Sequence, residues 1–135
     1  MVPIARSPDH LIARYNPPVY SPLLLDHFEH PRNAGDLADA TAAAQLENPA
    51  CGDVLKLSLK IEDGRIIAAR FKAKGCVPAI ACGSALTELI AGKTLVEAKR
   101  ISRETVAAAV GGLPEASSHA GQLAVDALAA ALKKT

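Results

Sequence analysis

Aromatic residues are scarce in this chain, which has no tryptophan, two tyrosines and two phenylalanines. Base stacking needs such rings, and the formal net charge is only +1, so no nucleic acid partner is expected. Long apolar runs are also lacking, which argues against a membrane-crossing helix and a membrane partner. Cysteine occurs three times, an odd number and too few for a disulfide framework. No leading segment joins a basic start to an apolar run of about 7–15 residues, as a secretory signal would. A reducing, cytoplasmic setting is therefore expected.

What is present fits one domain, since 135 residues can bury a core without disulfide staples. Pro3, Pro8, Pro17, Pro18 and Pro22 crowd the start together with Arg6 and Arg14. Residues 1–18 accordingly read as a flexible arm and residues 19–135 as the folded unit. In "YSPLLLDHFEHPRNAG", Leu24, Leu25 and Phe28 have helical spacing, and Pro31 and Gly35 end the run. Residues 40–48 are alanine-rich and short, and are read as an edge strand. The next stretch alternates: Leu55, Leu57, Leu59 and Ile61 on one face, Lys56, Ser58, Lys60 and Glu62 on the other. That is a half-buried hairpin turning at Asp63 and Gly64.

The period then becomes helical. Ala79, Cys82, Leu86, Leu89 and Ile90 form a stripe that Pro78 opens and Gly92 closes. "TLVEAKRI" and "SRETVAAAV" read as short capped helices, and "GGLP" precedes a last helix with Gly121, Val125, Leu128 and Leu132 inward. Ser117 or Ser118 is its candidate cap. A sheet with one polar face followed by helices predicts an α+β fold, with the helices packed on the apolar face.

The hairpin register decides which side chains meet. A plain two-residue turn pairing 62 with 65 carries through to Leu57 against Arg70, apolar against charged, and is rejected. Pairing 61 with 65 through a bulge at Gly64, or 61 with 67, keeps the faces matched. Either register brings Cys51 within one residue of facing Cys76, about 5 Å away if pairing extends so far. Strict alternation would send the two side chains to opposite faces, and Gly52 and Gly75 are where the strands can re-aim them.

Asp53 follows Cys51 by two and leaves the strand on the same side, while His119 opens the last helix. Two thiolates, a carboxylate and an imidazole suit iron-sulfur chemistry or zinc. The helix start behind Cys76 favours its thiolate form. Cys82 shares its stripe with Leu86 and Leu89 and is read as core packing. His27 and His30 are assigned ordinary surface or packing roles, and Lys56, Lys60, Lys72 and Lys74 the solvated face of the sheet. A bond between Cys51 and Cys76 is geometrically open, but would be transient in a reducing compartment.

At these residues the chain resembles the IscU/NifU-type scaffold proteins of iron-sulfur cluster assembly. "YSPLLLDHFEHPRNAG" is similar to the family's opening, "ENPACGDVLKL" and "FKAKGCVPAIACGSALTELIAGKTLVEA" to the segments around two of its ligand cysteines, and "LPEASSHAGQLAVDALAAAL" to its closing segment. The resemblance implies three antiparallel strands with helices on one side, a cluster assembled at one end, and cooperation with a cysteine desulfurase. Residue by residue, Cys51 and Cys76 match ligand cysteines, Asp53 the aspartate that favours cluster release, and His119 the histidine before the third cysteine. That third cysteine is Ala120 here, and Glu115 and Ser117 replace a proline and a lysine of the segment offered to a chaperone.

The resulting expectation is a non-enzymatic scaffold or carrier. It would hold iron or a labile [2Fe-2S] cluster through Cys51, Asp53, Cys76 and His119 and pass it to recipient apo iron-sulfur proteins. With two thiolates per chain, a homodimer could pool four sulfurs around one cluster. A zinc-holding sulfur acceptor or adaptor for a desulfurase, and a metal-free regulatory relative, stand as alternatives.

Overall fold

The computed structural model describes residues 20–49 and 52–135, so the expected arm and Cys51 lie outside the described residues. Helix α1 spans Pro22–Glu29, strands β1, β2 and β3 span Ala42–Asn48, Asp53–Glu62 and Arg65–Lys74, and α2 spans Val77–Ile90. Helices α3, α4 and α5 cover Leu95–Lys99, Arg103–Ala109 and Ser118–Leu132, the last preceded by a 3₁₀ turn at Glu115–Ser117. The three strands form one antiparallel sheet in the order β1-β2-β3. As expected, residues 42–48 are an edge strand, and the helices pack on the apolar face, α2 against β3 and α5 against β1 and β2.

The hairpin corrects the register argument. Asp63 and Gly64 both have positive φ, +53° and +73°, in a two-residue turn with Glu62 paired to Arg65. This is the turn rejected above. Faces still match because a bulge lies further in: Ile61 pairs with Ile66, Lys60 with Ala68, and Ile67 is the extra residue, 45% exposed. Beyond the bulge Leu59 meets Ala69, Leu57 meets Phe71 and Leu55 meets Ala73, the second of the two retained registers.

Local caps explain the helix starts. Ser21 Oγ accepts the Leu24 N–H at 2.9 Å, and Thr94 and Glu97 form a reciprocal capping box. Ser102 Oγ accepts the Thr105 N–H at 3.2 Å. Ser117 stands at the cap position of α5 but makes no capping bond through its side chain.

Packing widens the stripes read from spacing. Helix α2 is buried almost all round, including Ser84 and Thr87, because the sheet covers one side and α1, α4 and α5 the others. A Cβ on Gly83 would stand 2.6 Å from the Phe71 ring, so this glycine lets helix and sheet meet closely. In α5 the buried residues include Ala120, Leu123, Ala124, Ala127, Leu128 and Ala131, while Val125 is only half-buried. In α1, Leu24 and His27 are buried, whereas Leu25 is 39% exposed.

Residues 33–41 run from one sheet edge to the other across the polar face. Gly35 N–H donates to the Phe71 carbonyl at β3, and Thr41 N–H donates to the Leu59 carbonyl beside β1. Between them Asp36 pairs with Lys56 and Lys72, and Asp39 with Lys60. These lysines hold both carboxyls below the usual carboxylate range. Three of the four lysines assigned to a solvated face thus lie along a loop that crosses it. No helix among the described residues is long and apolar enough to cross a membrane.

Candidate metal centre

The site forms where three elements begin or end on the same side of the molecule. Asp53 opens β2 on the face shared with Leu55, Leu57 and Leu59, which turns its carboxylate inward to 1% exposure. β3 ends at Lys74, and Gly75 follows with φ +138°. A Cβ there would lie 2.0 Å from Asp53 Oδ1, so the carboxylate occupies the space that any side chain would need. That backbone turn delivers Cys76 to the N-cap of α2, where Pro78 suits the first turn.

Cys76 then meets Asp53 twice. Its N–H donates to Asp53 Oδ1 at 3.0 Å, and its Sγ lies 3.2 Å from Oδ2. His119, in the first turn of α5, brings Nε2 to 3.4 Å from Asp53 Oδ2, with its side chain 35% exposed. Nε2 is itself buried and makes no hydrogen bond among the described residues. One donor atom from each of Asp53, Cys76 and His119 lies within 4.8 Å of the others. A soft sulfur, a borderline nitrogen and a hard oxygen directed at one small volume are donor types that suit iron or zinc.

Of the residues expected at the site, Asp53, Cys76 and His119 come together, and Cys51 lies outside the described residues. Cys82 is fully buried in α2, and burial, with Cys76 nearby, pushes its thiol up to about 12. Ala120, at the position of the family's third cysteine, is 1% exposed. His30 is exposed at the end of α1. His27 is buried, its Nδ1 2.8 Å from Ser84 Oγ, which also accepts the Arg32 N–H at 2.9 Å. Burial lowers the His27 pKa, and this histidine pins the turn after α1 rather than the site.

One feature beside the site escaped the reading of spacing. A groove of roughly 280 Å³ runs along Leu46, Glu47, Asn48 and Pro49 against Gln122, Leu123 and Asp126, and ends at His119. The only sequence signal for it is the polar pair Gln122 and Asp126 on an otherwise apolar helix, joined by a 2.8 Å hydrogen bond.

A model of the family described as the NifU-like N terminal domain matches residues 19–135. The chain belongs to that family. It is 44% identical over 114 residues to the iron-sulfur cluster assembly scaffold protein IscU 1 of Archaeoglobus fulgidus, covering 84% of this chain and 74% of the relative. It is 40% identical over 116 residues to the scaffold protein IscU of Aquifex aeolicus, with the same coverage of 84% and 74%. Among solved structures, the N-terminal part of a NifU-like protein from Brucella abortus superposes with a TM-score of 0.69 at 22% identity, covering 84% of this chain and 92% of that one. A SUF-system protein of Fervidobacterium islandicum AW-1 gives the same score and identity, covering 84% and 96%. These two likenesses establish a shared α+β fold for the NifU-like family member seen here.

Proposed function

We propose that this chain is an iron-sulfur cluster assembly scaffold that holds iron or a labile [2Fe-2S] cluster as cargo and hands it to recipient apo proteins. The observation that carries the reading is the convergence of Asp53, Cys76 and His119 on one volume in a chain of this family. Cys51, two residues before Asp53, is assigned as the second thiolate. Sulfur ligands hold iron firmly, whereas a carboxylate oxygen is a weaker partner for thiophilic iron and gives the cargo a way to leave. Asp53 Oδ2 stands 3.2 Å from the Cys76 sulfur, so the carboxylate is placed to accept the proton that leaves when the sulfur binds iron.

The distribution of thiols limits how sulfur can arrive. Ala120 carries none, and Cys82 is buried with its thiol form strongly favoured. Sulfur supplied by a cysteine desulfurase is therefore assigned to Cys76 or Cys51. Two chains facing each other at this end would offer four thiolates to one cluster, which makes a cargo-bridged homodimer part of the proposal. No chaperone is assigned to residues 113–117, where Glu115 and Ser117 replace the family's residues and Ser117 is buried. A cytoplasmic setting suits a site that works through thiolates.

Anaerobic reconstitution with iron and sulfide tests the reading. Visible sulfur-to-iron charge-transfer absorption should develop in the native chain and be lost on Cys51→Ser and on Cys76→Ser. An unchanged spectrum in both variants would overturn it. One tightly held zinc per chain, in protein purified without added iron, would replace it with the zinc reading.

A further inference from the structure

The two edges of the sheet are treated differently. Along β3, the Phe71 N–H donates to the Asn33 carbonyl at 3.0 Å and its carbonyl accepts from Gly35 at 2.8 Å. Ile66 is held in the same way, donating to Lys93 and accepting from Gly92, each at 2.8 Å. β1 pairs with β2 on one side, and among the described residues no backbone hydrogen bond reaches residues 42–47 from the other. An open edge is a template for another strand, and folds usually blunt or cover such edges.

The open edge borders the groove that ends at His119. Its apolar part is Leu46, Pro49 and Leu123, and its acids are Glu47 and Asp126. Both acids are exposed, and neither has an ion pair among the described residues. A second copy of this chain paired here would bring the same acids together, which disfavours self-association.

We infer that this edge docks an extended, lysine- or arginine-bearing segment of a partner protein. The segment adds as a fourth strand beside β1 and sets a cationic side chain against Glu47 and Asp126, next to His119. Backbone pairing supplies affinity, and the acids select the segment by charge. Docking at this place puts the partner against the rim of the candidate metal centre, so an incoming or outgoing cargo would pass beside it. The surface does not depend on the site holding metal.

The test is an NMR titration of the metal-free, isotope-labelled full chain. The probe is an acetylated Lys-Val-Lys-Val-Thr-Val-Lys peptide, and the control has each lysine replaced by glutamate. The lysine peptide should shift the amides of Ala43, Gln45 and Glu47 and of residues 119–126, and slow amide exchange along β1. The paired change Glu47→Lys and Asp126→Lys, both at exposed positions, should weaken it about tenfold and favour the glutamate peptide.

Absence of these shifts, or equal binding of the two peptides, would overturn the inference. Concentration-dependent shifts along β1 without peptide would replace it with self-pairing. A change in the β1 amides of the peptide-free chain on Arg6→Glu and Arg14→Glu would assign the edge to the chain's own N-terminal segment. Failure here leaves the iron reading standing, and failed reconstitution leaves this surface standing.

Discussion

Cys76 and Cys82 stand six residues apart at the start and in the middle of the same helix, and they have opposite chemistry. Cys76 is half-buried at the cap of α2, its sulfur 3.2 Å from the Asp53 carboxylate and within reach of His119. Cys82 faces the core with no exposure, and burial drives its thiol up to about 12. The residue type is the same. What differs is whether the backbone delivers the sulfur to polar groups at a chain bend or to apolar neighbours within a helix.

The sharpest way to break this contrast is alkylation. At pH 8 a thiol at about 12 is ionised to roughly one part in ten thousand. In the folded protein, iodoacetamide should therefore label Cys76 while Cys82 stays unmodified by mass spectrometry until denaturant is added. Comparable labelling of both would mean that α2 opens readily or that Cys82 is not in the core.

Removing the bend is the next largest change. Gly75→Ala adds a methyl where Asp53 Oδ1 already stands and forces φ +138° on a residue with a side chain. It should cost about 2–4 kcal/mol in denaturant unfolding. It should also abolish charge-transfer absorption on reconstitution, even under conditions where the variant is folded.

Cys82→Ala should leave reconstitution intact and lower stability near pH 7 by about 1–2 kcal/mol through the smaller side chain. It should also remove a pH dependence. Because the folded-state pKa of Cys82 is raised from 9.0 to about 12, its contribution is full below 9 and is lost as pH rises through that window. Native stability should fall relative to the variant by about 1.4 kcal/mol per pH unit there. Parallel curves for the two proteins would refute the assigned environment. The smallest effect is expected from Asp36→Asn, which breaks two exposed ion pairs and should leave the melting temperature nearly unchanged.

Much of this architecture was legible because it is written in local chemistry. The alternation from Leu55 to Ile61, the Asp-Gly turn and the Thr94 and Ser102 caps each depend on residues within a few positions of one another. The bulge at Ile67 was not legible, because the choice between a long turn and an interior bulge depends on packing against helices that arrive later in the chain. One position on the inward face of α5 was misread for a related reason. Gly121, Leu128 and Leu132 are buried as read, but half of the buried positions are alanines, whose small size gives a weak hydrophobic signal beside the half-buried Val125.

At the site, register and glycine placement argued for Cys51 and Cys76 drawing together, and Asp53 entered through its spacing from Cys51. His119 entered as an imidazole at the start of the last helix, supported by family likeness, since no local pattern encodes its arrival from the far end of the chain. The ion pairs of Asp36 and Asp39 across the sheet were unread because they span about 20 residues or more of sequence.

The segment that leaves β3 at Gly35 and runs into β1 at Thr41 works as a belt buckled on β3 and on the central strand β2. Its fastenings are Lys56, Lys60, Lys72 and the Leu59 carbonyl, all set back from the rim that carries Asp53 and Gly75. The rim end of the sheet is held by strand pairing and by the Asp53 carboxylate, not by this belt.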